Sequence, residues 1–70
     1  MRAYSCYFLN KGGMIAAVET IECADDGDAR HTAVERLRST HHHAVEVTDQ
    51  ARLVLHQARD PAWTDTPPQE

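Results

Sequence analysis

The chain is poor in basic residues. Seven lysines and arginines stand against eleven aspartates and glutamates, which gives a formal net charge of −4. Proteins that bind phosphate backbones carry clustered positive charge. Here only Arg30, Arg36 and Arg38 share one segment, and Glu35 lies among them. The composition therefore argues against a nucleic-acid partner.

Long apolar runs are also missing, and nothing approaches the ~20 residues that span a bilayer. The N-terminal "MRAYSCYFL" has one charge and no small-residue cleavage motif, so we expect no signal peptide. Two sparse cysteines predict free thiols in a cytoplasmic protein. Seventy residues form one domain, and so small a core commonly gains stability from a metal or from oligomerisation.

What the chain does contain is a hairpin signal near its N-terminus. The segments "AYSCYFL" and "MIAAVETIE" favour strands, and "NKGG" favours a turn. Setting Leu9 opposite Met14 puts Cys6 opposite Ala17. One face then carries Tyr4, Cys6, Phe8, Ile15, Ala17 and Ile21, and the other carries Ser5, Tyr7, Leu9, Met14, Ala16 and Val18. Both predicted faces are largely apolar, which is unusual for a sheet with one side in water.

A charged helix is predicted next, in "CADDGDARHTAVERLRSTH". Asp25 suits the N-cap, and Asp26 and Asp28 suit the positive end of the helix dipole. The apolar stripe is narrow and consists of Ala29, Ala33, Val34 and Leu37. We therefore expect one buried helix face and a charged remainder.

A second hairpin is predicted in "HAVEVTDQARLVLHQ". We favour an odd-length turn centred on Asp49, because it places apolar residues on one face, namely Val45, Val47, Leu53 and Leu55. Glu46 and Arg52 then share the opposite face as a cross-strand ion pair.

These elements predict an α+β fold of ββαββ order, with one helix on one face of a four-stranded sheet. Because the first and last strands are the most apolar, we expect them to be central and parallel, in a mixed sheet ordered 2-1-4-3. The domain is predicted to cover residues 1–59. Residues 60–70 are expected to form a proline-rich, disordered tail, in which Trp63 either packs on the sheet or anchors a partner.

Three segments, "YSCYFLNKGGMI", "ETIECADDGDAR" and "AVEVTDQARLV", resemble a set of short alphaproteobacterial proteins without assigned function. The resemblance covers residues 4–57. Its motifs are structural, and it implies a fold and a bacterial cytoplasmic setting without an activity or a ligand.

Three consecutive histidines, His41 to His43, suggest metal chemistry. On a strand, His41 and His43 would lie on one side about 6.6 Å apart and could share Zn²⁺, Ni²⁺ or Cu²⁺. The predicted register puts His42 and His56 on the other face, so the four do not converge. We favour a polar connection whose histidines interact with the helix end. Adventitious Zn²⁺ or Ni²⁺ binding, without a native cofactor, and a cluster that titrates near pH 6.5 stay as alternatives.

Signatures of catalysis are missing. No cation neighbours Cys6, which is expected to be buried, and the predicted register places Cys23 roughly 20 Å from it, too far for a disulfide. The acidic residues Glu19, Glu22, Asp25, Asp26 and Asp28 lack a calcium-loop pattern. Helix capping explains part of this cluster, and an acidic patch for a basic partner stays open. No nucleophile lies beside a base, so we predict that the protein is not an enzyme.

The main functional prediction is self-association. The helix covers one face of the sheet and leaves Tyr7, Leu9, Met14, Ala16 and Val18 on the other. Because monomers rarely leave apolar patches of several hundred Å² in water, we predict an interaction module that forms a homodimer through this face or through the edge of the second strand. The alternatives are a small metal-binding protein that uses His41 and His43, and an accessory subunit of a larger bacterial complex.

Overall fold

The computed structural model describes residues 1–60, and residues 61–70 of the predicted tail, including Trp63, lie outside the described part. Four strands and one helix follow each other in the order β1 (Arg2–Leu9), β2 (Ile15–Cys23), α1 (Asp26–Arg38), β3 (Ala44–Asp49) and β4 (Arg52–Ala58). This arrangement confirms the predicted α+β class and the ββαββ order.

The predicted strand order 2-1-4-3 is wrong. The sheet has the order β2-β1-β3-β4, and all three pairs of neighbours are antiparallel. The second hairpin is turned around, so that β3 rather than β4 lies beside β1 and no parallel pair forms. Val45 and Val47 of β3 alternate on one face and are both inaccessible to solvent, as suits a central strand under the helix, whereas Leu53 of β4 lies on the other face and is 58% exposed. An edge strand can leave such a side chain in solvent, so the apolar content of β4 did not require a central position.

The first hairpin has a longer turn than predicted. The Asn10 side chain accepts hydrogen bonds from the amides of Gly12 (2.9 Å) and Met14 (3.0 Å), and Gly13 has φ 85°. The predicted pairing of Leu9 with Met14 is wrong, because Leu9 lies opposite Ile15.

A bulge follows this turn. Phe8 pairs with Ala17 and Cys6 with Glu19, so Ala16 has no partner on β1. A bulge inserts one residue into a strand and changes the alternation on one side of it. Ile15, predicted on the covered face, consequently lies on the uncovered one.

Helix α1 begins as predicted. The Asp25 carboxylate accepts a hydrogen bond from the Asp28 amide (2.8 Å), and the Asp28 carboxylate accepts one from the Ala24 amide (3.0 Å). This reciprocal pairing satisfies two amides at the helix N-terminus. The helix contacts all four strands.

The second hairpin also departs from the prediction. A two-residue turn joins Asp49 to Arg52, and Gln50 within it has φ 58°. Val54 then has no partner, so Leu55 lies opposite Val47 on the helix side while Leu53 is outside. The predicted common face for the two leucines and the predicted pair of Glu46 with Arg52 are therefore wrong.

A single core lies between α1 and the sheet. It consists of Tyr4, Cys6, Phe8, Ile21 and Cys23 from the first hairpin, Ala29, Ala33 and Leu37 from the helix, and Val45 and Val47 from β3. The other face of the sheet has no helix over it in residues 1–60.

Candidate interaction surface

The face of the sheet opposite α1, which we call the outer face, is ordered in rows across the strands. The strand register places Ile15, Leu9, Ala44 and Ala58 in one row, Val18, Tyr7, Glu46 and His56 in the next, and Thr20, Ser5, Thr48 and Leu53 in a third. Apolar side chains gather where β1 and β2 approach their connecting turn. On β3 and β4 the outer face is mixed, with Glu46, His56 and Thr48 beside Ala44, Ala58 and Leu53.

Four of these residues, Tyr7, Leu9, Ile15 and Val18, form what we call the outer apolar patch. Ile15 is 59% exposed and Val18 is 60% exposed, while Tyr7 and Leu9 are half-buried. They form two cross-strand pairs, Leu9 with Ile15 and Tyr7 with Val18. Such pairs place side chains about 5 Å apart, so the patch is continuous.

The predicted interface residues fall in three places. Tyr7, Leu9 and Val18 are on the outer face, as the alternation predicts. Met14 is exposed and precedes β2, and Ala16 is the unpaired residue of the bulge. No contact with a second molecule tests their predicted role, which stays a prediction.

A chain of ion pairs crosses the end of the sheet on the helix side. Asp49, only 7% exposed, accepts hydrogen bonds from Arg2 and from Arg52 (3.0 Å). Arg52 also binds both carboxylate oxygens of Asp26 (2.8 and 3.0 Å), and the Tyr4 hydroxyl donates to Asp26 (2.9 Å). A cavity of about 440 Å³ lies beside the two arginines. Each guanidinium already faces a carboxylate, so the positive charge at this end of the sheet is largely compensated.

These contacts perturb the acid–base behaviour of the cluster. The hydrogen bonds from Arg52, and then that from Tyr4, lower the pKa of Asp26 to about 2. Burial, followed by the hydrogen bond to Asp26, raises the pKa of the Tyr4 phenol. At neutral pH the ionised carboxylate and the neutral phenol are both stabilised by folding.

The acidic residues that suggested a patch for a basic partner are mostly engaged. Asp25 and Asp28 cap the helix, and Glu19 forms an ion pair with Arg36 (3.0 Å). Asp26 belongs to the ion-pair chain, and Glu22 is exposed on the outer face of β2.

The three histidines lie in the connection between α1 and β3, and they face different surroundings. His41 and His43 are exposed, whereas His42 is half-buried and stacks on Phe8 with ring centroids 5.1 Å apart. His56 pairs with Glu46 on the outer face. The predicted grouping of His42 with His56 is therefore wrong, because His42 packs on the helix side of the sheet.

Arg59 holds this connection in place. Its guanidinium donates hydrogen bonds to the carbonyls of Leu37 (2.6 Å), Thr40 and His42 (2.9 Å). The last carbonyls of a helix have no partner within it and attract cations. The sequence offered no signal for this role, since Arg59 follows α1 by more than twenty residues.

A cleft opens beside the free edge of β2, and we call it the β2 cleft. It has a volume of about 310 Å³, and its lining includes Phe8, Ala17, Glu19, Arg36, Thr40 and His42. The stacked Phe8 and His42 rings supply an aromatic wall, and the Arg36–Glu19 ion pair supplies a polar one. Its volume is at the lower limit for small-molecule pockets, so it suits one large side chain.

The two cysteine thiols are buried, and the potential metal ligands of residues 1–60 are dispersed. Cys6 and Cys23 are buried and not bonded to each other, and burial raises the pKa of the Cys6 thiol to about 11. Such a thiol is a poor nucleophile at neutral pH. Among residues 1–60, no three histidine, cysteine, aspartate or glutamate side chains lie close enough to hold one metal ion.

Comparison with protein-family models, with curated proteins and with solved structures gives no match for this chain. The helix in the described part of the chain is neither long nor apolar enough to cross a membrane.

Proposed function

We propose that this chain is a small, non-catalytic interaction module that self-associates through the outer face of its sheet. The observation that carries the proposal is the outer apolar patch, in which Ile15 and Val18 are each about three-fifths exposed. Monomeric soluble proteins seldom expose contiguous apolar patches larger than a few hundred Å².

A second copy is the simplest partner for such a patch. In a twofold arrangement the same surface contributes from both sides, so one patch covers the other. The longest two dimensions of the molecule, 34 and 25 Å, limit the area of one face to about 850 Å². Two such faces reach the roughly 1,600 Å² of a stable interface only when they overlap almost completely, so the proposed dimer uses most of the outer face.

The chemistry of the described residues supports a non-catalytic role. The most perturbed carboxyl group, Asp26, is engaged by Arg52 and Tyr4, and its low pKa keeps it ionised. The Cys6 thiol is buried and protonated. Neither group has the accessible, reactive state that acid–base or nucleophilic catalysis uses.

Sedimentation velocity on the untagged chain tests the proposal. We expect the weight-average mass to rise from 7.9 kDa toward twice that value between about 1 µM and 1 mM. A single 7.9 kDa species over the whole range would rule out self-association.

A further inference from the structure

The free edge of β2 is long and weakly protected. Within residues 1–60, β1 is the only strand paired with β2, which has nine residues and contains neither proline nor lysine. Natural edge strands avoid unwanted pairing with such residues, with bulges or with inward-pointing charges. Here one bulge lies at Ala16, and the inward carboxylate of Glu19 is neutralised by Arg36 (3.0 Å). With respect to the described residues, most of the edge is open to another strand.

The β2 cleft adds a side-chain pocket to this edge. The row on the helix side runs from Ala17 through Phe8 to Val45. Ala17 is the small member at the end of that row, so the space beyond it leads to the wall formed by Phe8 and His42. A residue paired with Ala17 by a fifth strand would face this space.

We propose that the edge of β2 binds an extended peptide from a partner protein, which adds a fifth strand and places an aromatic side chain in the β2 cleft. Strand addition combines main-chain hydrogen bonds with pockets for alternate side chains. An aromatic ring in the cleft packs on Phe8 and His42 and lies near the Arg36 guanidinium, which favours ring faces.

Alternation then defines the rest of the peptide. The residue paired with Val18 points to the outer face and extends the Tyr7–Val18 row with an apolar side chain. The residue paired with Glu22 also points outward, and a lysine or arginine there complements the exposed carboxylate.

Charge favours a peptide over a second β2. The strand carries no basic residue, and its Glu19 is already paired with Arg36, so two copies of it would bring two exposed Glu22 carboxylates to one seam with no cation from either strand to balance them. Like charges across a strand pair are destabilising. A second β2 also offers no aromatic residue for the cleft. This proposal concerns an edge and a cleft, and it stands independently of self-association through the outer face.

Fluorescence anisotropy with a defined probe tests the proposal. The probe is the fluorescein-labelled peptide Lys-Thr-Thr-Thr-Val-Phe-amide, which when antiparallel places its lysine opposite Glu22 and its phenylalanine opposite Ala17. We expect saturable binding of the probe by the full chain. In NMR spectra of the chain titrated with the probe, we expect the changes in amide chemical shift to be concentrated in β2. Replacing the peptide's phenylalanine with alanine is expected to weaken binding about tenfold or more.

Matched variants separate the cleft from general effects. Ala17→Phe fills the cleft and is expected to weaken probe binding at least about tenfold, whereas Ala58→Phe on the opposite edge strand leaves it within about twofold. Glu22→Lys tests the same edge without touching the core. This substitution is expected to weaken binding of the probe and to strengthen binding of a second probe peptide in which glutamate replaces the lysine.

Three results would overturn the proposal. One is the absence of saturable binding to the wild-type chain. Another is an equal effect of Ala17→Phe and Ala58→Phe together with no charge exchange at Glu22. The third is a weaker self-association of Ala17→Phe with unchanged probe binding, which would assign the edge to a second copy.

Discussion

Placing a charge in the outer apolar patch by Val18→Asp is expected to dissociate the proposed dimer. Val18 is 60% exposed in the single chain, and full burial of a valine side chain is worth about 1.5–3 kcal/mol. Covering the exposed part therefore stabilises a dimer by about 1–2 kcal/mol per copy. Because a twofold interface contains Val18 twice, the loss is about 2–4 kcal/mol, which weakens dimerisation roughly 30-fold to several hundred-fold.

This range is a lower bound, because the aspartate must also lose its hydration when the two faces meet. Sedimentation velocity of the wild-type chain and of the variant measures the shift in the dissociation constant. His31→Asp, on an exposed position of α1, adds the same negative charge away from the sheet and serves as the control. If Val18→Asp dimerises as tightly as the control, the interface lies elsewhere and the reasoning from the patch fails.

Three further predictions concern stability. Gln50→Gly relieves a left-handed backbone conformation (φ 58°) and is expected to stabilise the fold by about 0.5–1 kcal/mol, which raises Tm by several degrees. The control Ala51→Gly is expected to give no such increase in Tm, and a lower Tm for Gln50→Gly would contradict the assigned turn. Arg59→Ala removes three contacts to carbonyls and is expected to cost about 2–4 kcal/mol in urea unfolding. The exposed control Arg30→Ala is expected to change the free energy of unfolding by no more than about 0.5 kcal/mol. Equal losses for the two variants would contradict the role of Arg59 in holding the connection between α1 and β3. Because the pKa of Asp26 falls to about 2 on folding, the unfolded chain binds more protons, and stability is expected to decline as the pH drops from near 4 toward 2. Asp26→Asn is expected to make the free energy of unfolding less dependent on pH in this range. An unchanged pH dependence would show that Asp26 is not its source.

Local patterns in the sequence predicted the elements and their order. Asp25 is the N-cap because its carboxylate reaches an amide three residues later, which is a property of adjacent residues. The alternation of Tyr7 and Leu9 with the buried Cys6 and Phe8 likewise follows from one strand alone. These contacts are short in sequence, so composition and spacing are enough to identify them.

Contacts between segments that are distant in sequence determine the strand order and the orientation of the second hairpin, which the sequence did not predict. The orientation of the second hairpin depends on whether β3 or β4 packs beside β1, and both strands are apolar enough to suggest a central place. In the structure Arg52 binds Asp26 and Arg59 binds the carbonyl of Leu37. Both contacts join the last strand region to the helix, and no local pattern in the sequence indicates them.

The two bulges explain why the predicted registers of both hairpins were wrong, and they also place apolar side chains on the outer face, which the proposed function uses. Each inserts one residue in an edge strand, Ala16 in β2 and Val54 in β4, and each leaves one large aliphatic residue on the outer face, Ile15 and Leu53. A regular hairpin with the predicted alternation would have buried both under the helix. Exposing them to water forgoes roughly 1–2 kcal/mol each, a considerable amount for a domain of this size. Covering the outer face with a second copy recovers part of this free energy for Ile15, which belongs to the same patch as Val18.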